Sequence, residues 1–360
     1  MRDDRIPVTV FTGFLGSGKT TLLQKLLTHE GGEGVAVIVN ELGEISLDHL
    51  FVRSISETAV VMKNGCICCS MRTDLQDGIR ELIDGRYQGK IPPFNRIIIE
   101  TTGLADPTPI AQTLTGDPML VRQTRLANII TTIDALFGAE QIQKHPESLR
   151  QAAVSDRLVL TKSDIATSKQ INDTIKAVKR INPLAMIIDS NQEENLWKLL
   201  FDIDPFDPET KSKEVQAWLS NLPEIKTAQS GKAFKMMRPD KRVSENEQKT
   251  YHKIWNKGEN AVETFTIKTE EPLNWTAFSI WLSALIYKHG ERILRIKGLL
   301  NIPGAKGPVV INTVQSYITP PHHLEEWPDE DHSSRIVFIV QGISPELMKR
   351  SLDKFLELMN

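Results

Sequence analysis

The stretch Gly13-Phe14-Leu15-Gly16-Ser17-Gly18-Lys19-Thr20 matches the pattern G-x-x-x-x-G-K-[ST] at every position. Its flanks decide what the match means. Ile6 to Thr12 is a short, β-branched and apolar run, and Leu22, Leu23, Leu26 and Leu27 recur at helical spacing. Strand, loop and helix in that order make a phosphate-binding loop rather than a Gly-rich turn before an ordinary helix. Glycines at 13, 16 and 18 let successive backbone N–H groups turn toward phosphate oxygens, and the helix opening at Lys19 adds its positive dipole end. In such a loop Lys19 reaches the β and γ phosphates and the Thr20 hydroxyl ligates Mg²⁺.

At 360 residues the chain exceeds the size at which a single core keeps growing. Two domains are therefore expected: a phosphate-loop domain over 1–201, a linker over 202–260 and a smaller module over 261–360. With 43 basic and 46 acidic residues the formal charge is −3, which gives no global attraction to nucleic acid or to an anionic membrane. No apolar run approaches the roughly 18 residues of a membrane span, and Met1-Arg2-Asp3-Asp4-Arg5 is not a signal peptide. A cytoplasmic protein is expected.

Downstream, Val35 to Val39 reads as a strand buried on both faces and ends in Asn40-Glu41-Leu42-Gly43-Glu44. Ligands of open α/β sheets sit beyond the carboxyl ends of strands, so Glu41 and Glu44 fall near the nucleotide, as metal ligands or as solvated loop residues. Ala59 to Met62 is a weaker strand, and Met71 to Ile83 reads as a helix. Arg96 to Glu100 is a second apolar strand ending in an acid, and Thr101-Thr102-Gly103 comes directly after it. An acid there is in the Walker B position, where it holds Mg²⁺ through water or orients the attacking water, and Gly103 is the switch glycine. Ile129 to Asp134, Arg157 to Leu160 and Met186 to Ile188 complete the strand series, with a helix over Ser168 to Ile181. Directly after Leu160, Thr161-Lys162-Ser163-Asp164 resembles the guanine-reading element N-K-x-D with Thr in place of Asn. Asp164 can accept from guanine N1–H and the 2-amino group, while the Lys162 stem lies over the base.

All three cysteines, Cys66, Cys68 and Cys69, stand together, which excludes a disulfide framework. Thiolates are soft ligands suited to Zn²⁺, Co²⁺ or Cu(I), and a C-x-C step in extended backbone sends two sulfurs to one side. Three sulfurs leave one tetrahedral position open, which suits a site that passes metal on. Core packing, a redox pair and a catalytic nucleophile are the competing readings.

Beyond the linker, Val262 to Ile267 alternates as a strand and Asn274 can cap a helix that ends at Gly290. Arg292 to Leu300, Val309 to Tyr317 and Arg335 to Val340 read as further strands, and Ser344-Pro345-Glu346 starts a terminal helix. A small α+β domain results. His322, His323 and His332 are expected as exposed loop residues, a paired-histidine metal site being the alternative.

Taken together, the phosphate loop, Asn40 to Glu44, Asn64-Gly-Cys-Ile-Cys-Cys69, Glu100-Thr-Thr-Gly-Leu-Ala-Asp-Pro107 and Thr161 to Asp164 resemble the CobW family of metallochaperone GTPases. The likeness continues through Arg292 to Leu299, Val314-Gln315, Trp327-Pro328 and Ser334 to Ile339. It implies an α/β phosphate-loop GTPase fold of the class that includes UreG and HypB, with a mostly parallel sheet, plus a CobW-type C-terminal domain. The implied activity is GTP hydrolysis coupled to binding and transfer of Zn²⁺, or of Co²⁺ for cobalamin synthesis or nitrile hydratase activation. Carried over by position, Gly13, Gly16, Ser17, Gly18, Thr21, Glu41, Thr161, Lys162 and Asp164 hold the nucleotide. Lys19, Thr20 and Glu100 serve catalysis with Mg²⁺, and Cys66, Cys68, Cys69 and Glu44 hold the metal. A client metalloprotein is the implied partner, and a homo-oligomer is compatible with the pattern. A regulatory switch GTPase with structural or redox cysteines is the reading from another class. Many relatives carry a His-rich stretch between the domains; here 202–260 holds only His252.

Overall fold

The computed structural model describes residues 4–28, 33–39, 60–63, 71–202, 215, 218–219, 253–254 and 261–359, with backbone alone at 60–63, 71–74, 202, 253–254 and 359. The chain divides into two compact units, Met1–Asn221 and Leu222–Asn360.

In the first unit seven parallel strands form one sheet. They are β1 (Ile6–Gly13), β2 (Val35–Val39), β3 (Val60–Lys63), β4 (Arg96–Glu100), β5 (Thr124–Asp134), β6 (Arg157–Thr161) and β7 (Met186–Asp189), in the order β3-β2-β4-β1-β5-β6-β7. Parallel strands covered on both faces read as continuous apolar runs, which is why Val35–Val39, Ile97–Ile99 and Leu158–Leu160 need no alternation. On one face α1 (Lys19–Leu26) and residues 196–201 bury Phe11, Val37, Ile98, Ile130 and Val159. On the other, where Thr131 points, lies α6 (Pro146–Val154).

The remaining helices are α2 (Met71–Tyr87), α3 (Thr108–Gly116), α4 (Pro118–Gln123), α5 (Gly138–Lys144) and α7 (Ser168–Ile181). The capping box at the start of α7 is complete: Gln170 N donates to Thr167 Oγ1 at 3.3 Å and Thr167 N to Gln170 Oε1 at 2.9 Å. Asp117 caps α4 from Met119 N and Leu120 N, and Arg80 on α2 donates to it at 2.5 Å. The Leu120 N–H, with Met119 N–H and Arg80, outweighs burial and holds the Asp117 carboxyl below the ordinary range.

The second unit is a mixed layer of one antiparallel sheet and two helices. Its strands are β8 (Lys253–Ile254), β9 (Val262–Thr269), β10 (Ile293–Leu300), β11 (Val309–Val314), β12 (Tyr317–Ile318), β13 (His322–His323) and β14 (Ser334–Gln341). The order is β12-β11-β10-β14-β9-β8, with β13 also on β11. Helices α8 (Trp275–His289) and α9 (Pro345–Met359) close the core: Trp281 meets Phe338 edge-on at 6.2 Å and donates from Nε1 to Ser351 Oγ at 3.1 Å. Asn274 caps α8 through Ala277 N at 3.1 Å.

The structure corrects four expectations. The strand expected over Ile129 to Asp134 begins at Thr124, because Thr124 and Arg125 already pair with Ile6 and Pro7. Val309 to Tyr317 is a hairpin and not one strand: Gln315 takes φ 48°, which turns the chain so that Tyr317 pairs with Val314. His322 and His323, expected in a loop, pair with Val310 and Val309 as an edge strand. Within 202–260, expected as a linker with short helical pieces, Lys253 and Ile254 form a short strand that pairs with Glu263 and Val262, while Val215 and Trp218 are helical and buried.

Replacing Phe338 by Ala removes the ring on which Trp281 and Phe265 pack, and should cost about 3–5 kcal/mol in urea unfolding. The depressed Asp117 carboxyl adds stability above the unfolded value of 3.8 and loses it as pH falls through the folded value. Asp117→Asn should therefore flatten the acid limb of the stability profile, read as melting temperature against pH.

Candidate nucleotide site

The described site residues gather at the carboxyl edge of the parallel sheet. Gly13 ends β1, Val39 ends β2, Glu100 ends β4, Asp134 ends β5 and Thr161 ends β6. Register aligns them, Glu100 lying beside Phe11 and Val39, and Asp134 beside Thr161.

The phosphate loop needs glycine at 13 and 18 for different reasons. Gly13 has φ 147°, and a Cβ there would lie 2.2 Å from Thr132 Oγ1 and 2.7 Å from Ser17 Oγ. Gly18 has φ 83°, and a Cβ there would meet Thr161 only at an ordinary contact distance of 3.7 Å, so conformation alone demands it. Ser17 and Thr132 share a hydrogen bond at 2.7 Å, tying the loop to β5. Lys19 Nζ donates to the carbonyls of Gly13 at 2.9 Å and Phe14 at 3.3 Å, so the ammonium is held over its own loop.

Thr20 Oγ1 donates to Glu100 Oε1 at 2.6 Å, joining the first turn of α1 to the end of β4. Glu100 is 4% exposed. A hydroxyl and a buried carboxylate brought together at the head of the phosphate loop form an all-oxygen donor pair of the kind Mg²⁺ takes, and the residues fit that ion. After Glu100 the chain crosses the phosphate loop: Gly103 packs so closely that a Cβ would lie 2.6–2.8 Å from Leu15, backbone included. The sequence suggests a mobile switch glycine; the structure gives Gly103 a further task of close approach. Leu15, Lys19, Thr20, Thr21, Val39, Glu100, Thr102, Leu104 and Lys162 line a cleft of about 480 Å³.

The base-reading segment is stitched to the phosphate loop. Thr161 Oγ1 donates to Ser17 O at 2.8 Å, and Lys162 Nζ donates to Gly16 O at 2.7 Å and to Asp134 Oδ2 at 2.6 Å. Lys162 adopts φ 58°, a strained conformation for a non-glycine that its two bonds maintain. Asp164 is exposed, and Asn191 Nδ2 donates to its Oδ1 at 3.1 Å, leaving the other oxygen for a ligand. Thr161 stands where the N-K-x-D element has Asn, and its hydroxyl is committed to the loop beneath.

Sequence reasoning missed Asp134, Thr132 and the Asp189–Asn191 turn. Asp134 carried the signal used for Glu100, an acid at the end of a buried strand. Asn191 comes just after β7, the neighbour of β6, and only the strand order reveals that it faces Asp164. Glu41, Glu44, Cys66, Cys68 and Cys69 lie outside the described residues. Among the described residues no three His, Cys, Asp or Glu side chains gather as a metal-holding group.

The profile of the CobW/HypB/UreG nucleotide-binding domain matches residues 7–189, and that of the cobalamin synthesis protein cobW C-terminal domain matches 262–356. The chain belongs to the CobW family. It is 30% identical over 335 residues to the zinc chaperone YjiA of Escherichia coli, covering 93% of each chain. It is also 32% identical over 219 residues to zinc-regulated GTPase metalloprotein activator 1 of Schizosaccharomyces pombe, covering 58% of this chain and 52% of that one. The crystal structure of Zn(II)-bound YjiA GTPase from E. coli superposes with a TM-score of 0.68 at 25% identity, covering 98% of this chain and 99% of that one. In this CobW protein, as the motifs imply, the fold is an α/β phosphate-loop domain together with a smaller antiparallel domain. No helix among the described residues is long and apolar enough to cross a membrane.

Asp164→Asn should weaken GTP binding and improve xanthosine triphosphate binding, because an amide can donate to the exocyclic oxygen where a carboxylate only accepts. Competition with a fluorescent GDP analogue reads both affinities; an unchanged preference would mean that Asp164 does not face the base.

Proposed function

We propose that this chain is a GTP-hydrolysing zinc chaperone that binds Zn²⁺ as cargo at Cys66, Cys68 and Cys69 and passes it to a client metalloprotein. The observation that carries the nucleotide half is the stitching of Thr161 and Lys162 onto the carbonyls of Ser17 and Gly16, which sets a guanine-reading segment directly above a phosphate loop. The metal half is supported by the clustered thiols and by the relative named as a zinc chaperone, which aligns over 93% of the chain.

In hydrolysis Lys19 exchanges the carbonyls of Gly13 and Phe14 for phosphate oxygens, so its charge is delivered where negative charge develops. The loop N–H groups cradle the phosphates. Thr20 and, through water, Glu100 would hold Mg²⁺, which supplies charge neutralisation between the phosphates. Asp134 holds Lys162 against the loop, and Asn191 orients Asp164 toward the base. Glu41 would contribute to nucleotide binding, and Glu44 would join the three thiolates as an extra metal ligand. Co²⁺ would be held by the same donors.

The coupling of the two halves rests on where the segments begin. Residues 40–59 leave β2 beside Glu100, and 64–70 leave the adjacent β3, both at the edge that carries the nucleotide cleft. Segments at that edge are the ones a γ-phosphate orders in GTPases. GTP should then tighten metal binding, and metal should tighten GTP by the same factor.

The test is competition titration of the reduced protein with a chromogenic chelator, in GDP and in a non-hydrolysable GTP analogue. The expected difference in Zn²⁺ affinity is about 5- to 150-fold, with proton release on binding and loss of the site in Cys68→Ala. Equal affinities in the two nucleotide states would sink the chaperone cycle.

A further inference from the structure

Gln151 on α6 is fully buried, yet its side chain serves neither the apolar core nor its own helix. Its Nε2 donates to Gly103 O at 3.1 Å and to Ala105 O at 3.0 Å, using both amide hydrogens on two carbonyls of the segment after Glu100. A single planar NH₂ group holding carbonyls two residues apart fixes the curvature between them. Leu104, in the middle, is turned outward to 49% exposure, and Gly103 is pressed against Leu15 of the phosphate loop.

The Gln151 Oε1 oxygen is buried without a hydrogen-bond partner. Burying an unpaired amide oxygen opposes folding, so an apolar side chain of the same length would suit the core better. What accounts for glutamine at this position is its pair of bonds to the loop.

The base from which Gln151 reaches is itself fixed. Its backbone carbonyl accepts Thr131 Oγ1 at 3.1 Å and Ser155 Oγ at 2.5 Å, which pins α6 to β5. His145, at the start of α6, stacks on Phe14 of the phosphate loop with ring centres 4.6 Å apart. Beside Gln151, Arg150 pairs with Asp106 at 3.5 Å, and Asp106 Oδ1 accepts from Thr108 N at 2.9 Å where α3 begins. The helix thus grips the phosphate loop at one end and the segment after Glu100 at the other.

We infer that Gln151 is a positioning residue for GTP hydrolysis, acting through the Gly103 and Ala105 carbonyls to hold the Thr102–Leu104 backbone in register with the phosphate loop. The inference rests on the GTPase reading above. A misplacement of about 1 Å at a reacting centre costs on the order of a hundredfold in rate. Loss of the two bonds should accordingly lower kcat and leave nucleotide binding in place, because the groups that cradle the phosphates and read the base are held by other residues.

The experiment compares full-length wild type with Gln151→Met and Gln151→Glu. Measured quantities are GTP turnover, GDP affinity by fluorescent analogue, and melting temperature. For Gln151→Met, of matched length and without donors, kcat should fall about 10- to 100-fold while GDP affinity stays within about twofold; the Gly103 and Ala105 carbonyls left without their donor lower the melting temperature only modestly, so the variant remains folded in the assay. For Gln151→Glu, a neutral carboxyl can donate to one of the two carbonyls and a carboxylate cannot. Its kcat relative to wild type should rise as pH is lowered from about 8 to about 6, burial near carbonyl oxygens having raised the carboxyl's pKa. Undiminished turnover in Gln151→Met overturns the inference alone. So does a fall in kcat that GDP affinity and melting temperature share in proportion, or a Gln151→Glu ratio that is flat with pH. Absence of turnover in wild type overturns the GTPase reading and this inference with it.

Discussion

A carboxylate that is 4% exposed at the end of a parallel strand is costly unless its charge is met, and Glu100 meets the Thr20 hydroxyl at 2.6 Å. Charge-assisted bonds of this kind are about twice as strong as neutral ones. The bond fixes how the first turn of α1 sits over β4, and thereby where Lys19 and the loop N–H groups point. Because Glu100 lies in register with both Phe11 and Val39, the central strands β1, β4 and β2 share one edge. The cleft, the segment after Glu100 and the strand ends that lead to residues 40–59 and 64–70 are all laid out from that edge.

A second constraint lies on the other side of the phosphate loop. Lys162 is held with φ 58°, which for a non-glycine costs on the order of 1–3 kcal/mol. Two bonds offset this, one to a loop carbonyl and one to the buried Asp134, whose other oxygen accepts Leu136 N at 2.8 Å. The ammonium is thereby committed to structure while the alkyl stem remains along the cleft wall. Thr161 does likewise, its hydroxyl bridging Ser17 O and Ile133 O. Both residues bind the loop, so on the proposed function specificity for the base would fall mainly on Asp164, which Asn191 orients.

Much of this was legible in the sequence, and the reason is physical. Buried parallel strands are apolar throughout, so Val35–Val39, Arg96–Glu100 and Arg157–Thr161 stand out without alignment, and their polar last residues mark the ligand edge. The helices α3 to α6 did not stand out, since runs of six to nine residues carry too few turns for a clear period. His322 and His323 looked like loop because two residues of strand have no period at all; their place comes from pairing with Val310 and Val309. Gln151 was invisible for a different reason. Its significance lies in two carbonyls far away in the chain, and no local pattern encodes a contact to backbone.

The anchoring of α2 bears on how a metal-holding segment could respond to nucleotide. Residues 64–70 run from the end of β3 to the start of α2, and α2 is tied by Arg80 to Asp117, the cap of α4. That carboxyl is held below its ordinary range, chiefly by the Leu120 N–H, so it meets Arg80 as a carboxylate at neutral pH. One end of the segment therefore rests on a helix fastened to the body of the unit. Its other end rests on the sheet edge beside β2, whose last residue, Val39, lines the nucleotide cleft. On the proposed function, a γ-phosphate acting at the β2 edge would shift one of these two anchors relative to the other, which is how nucleotide would bear on the thiolates.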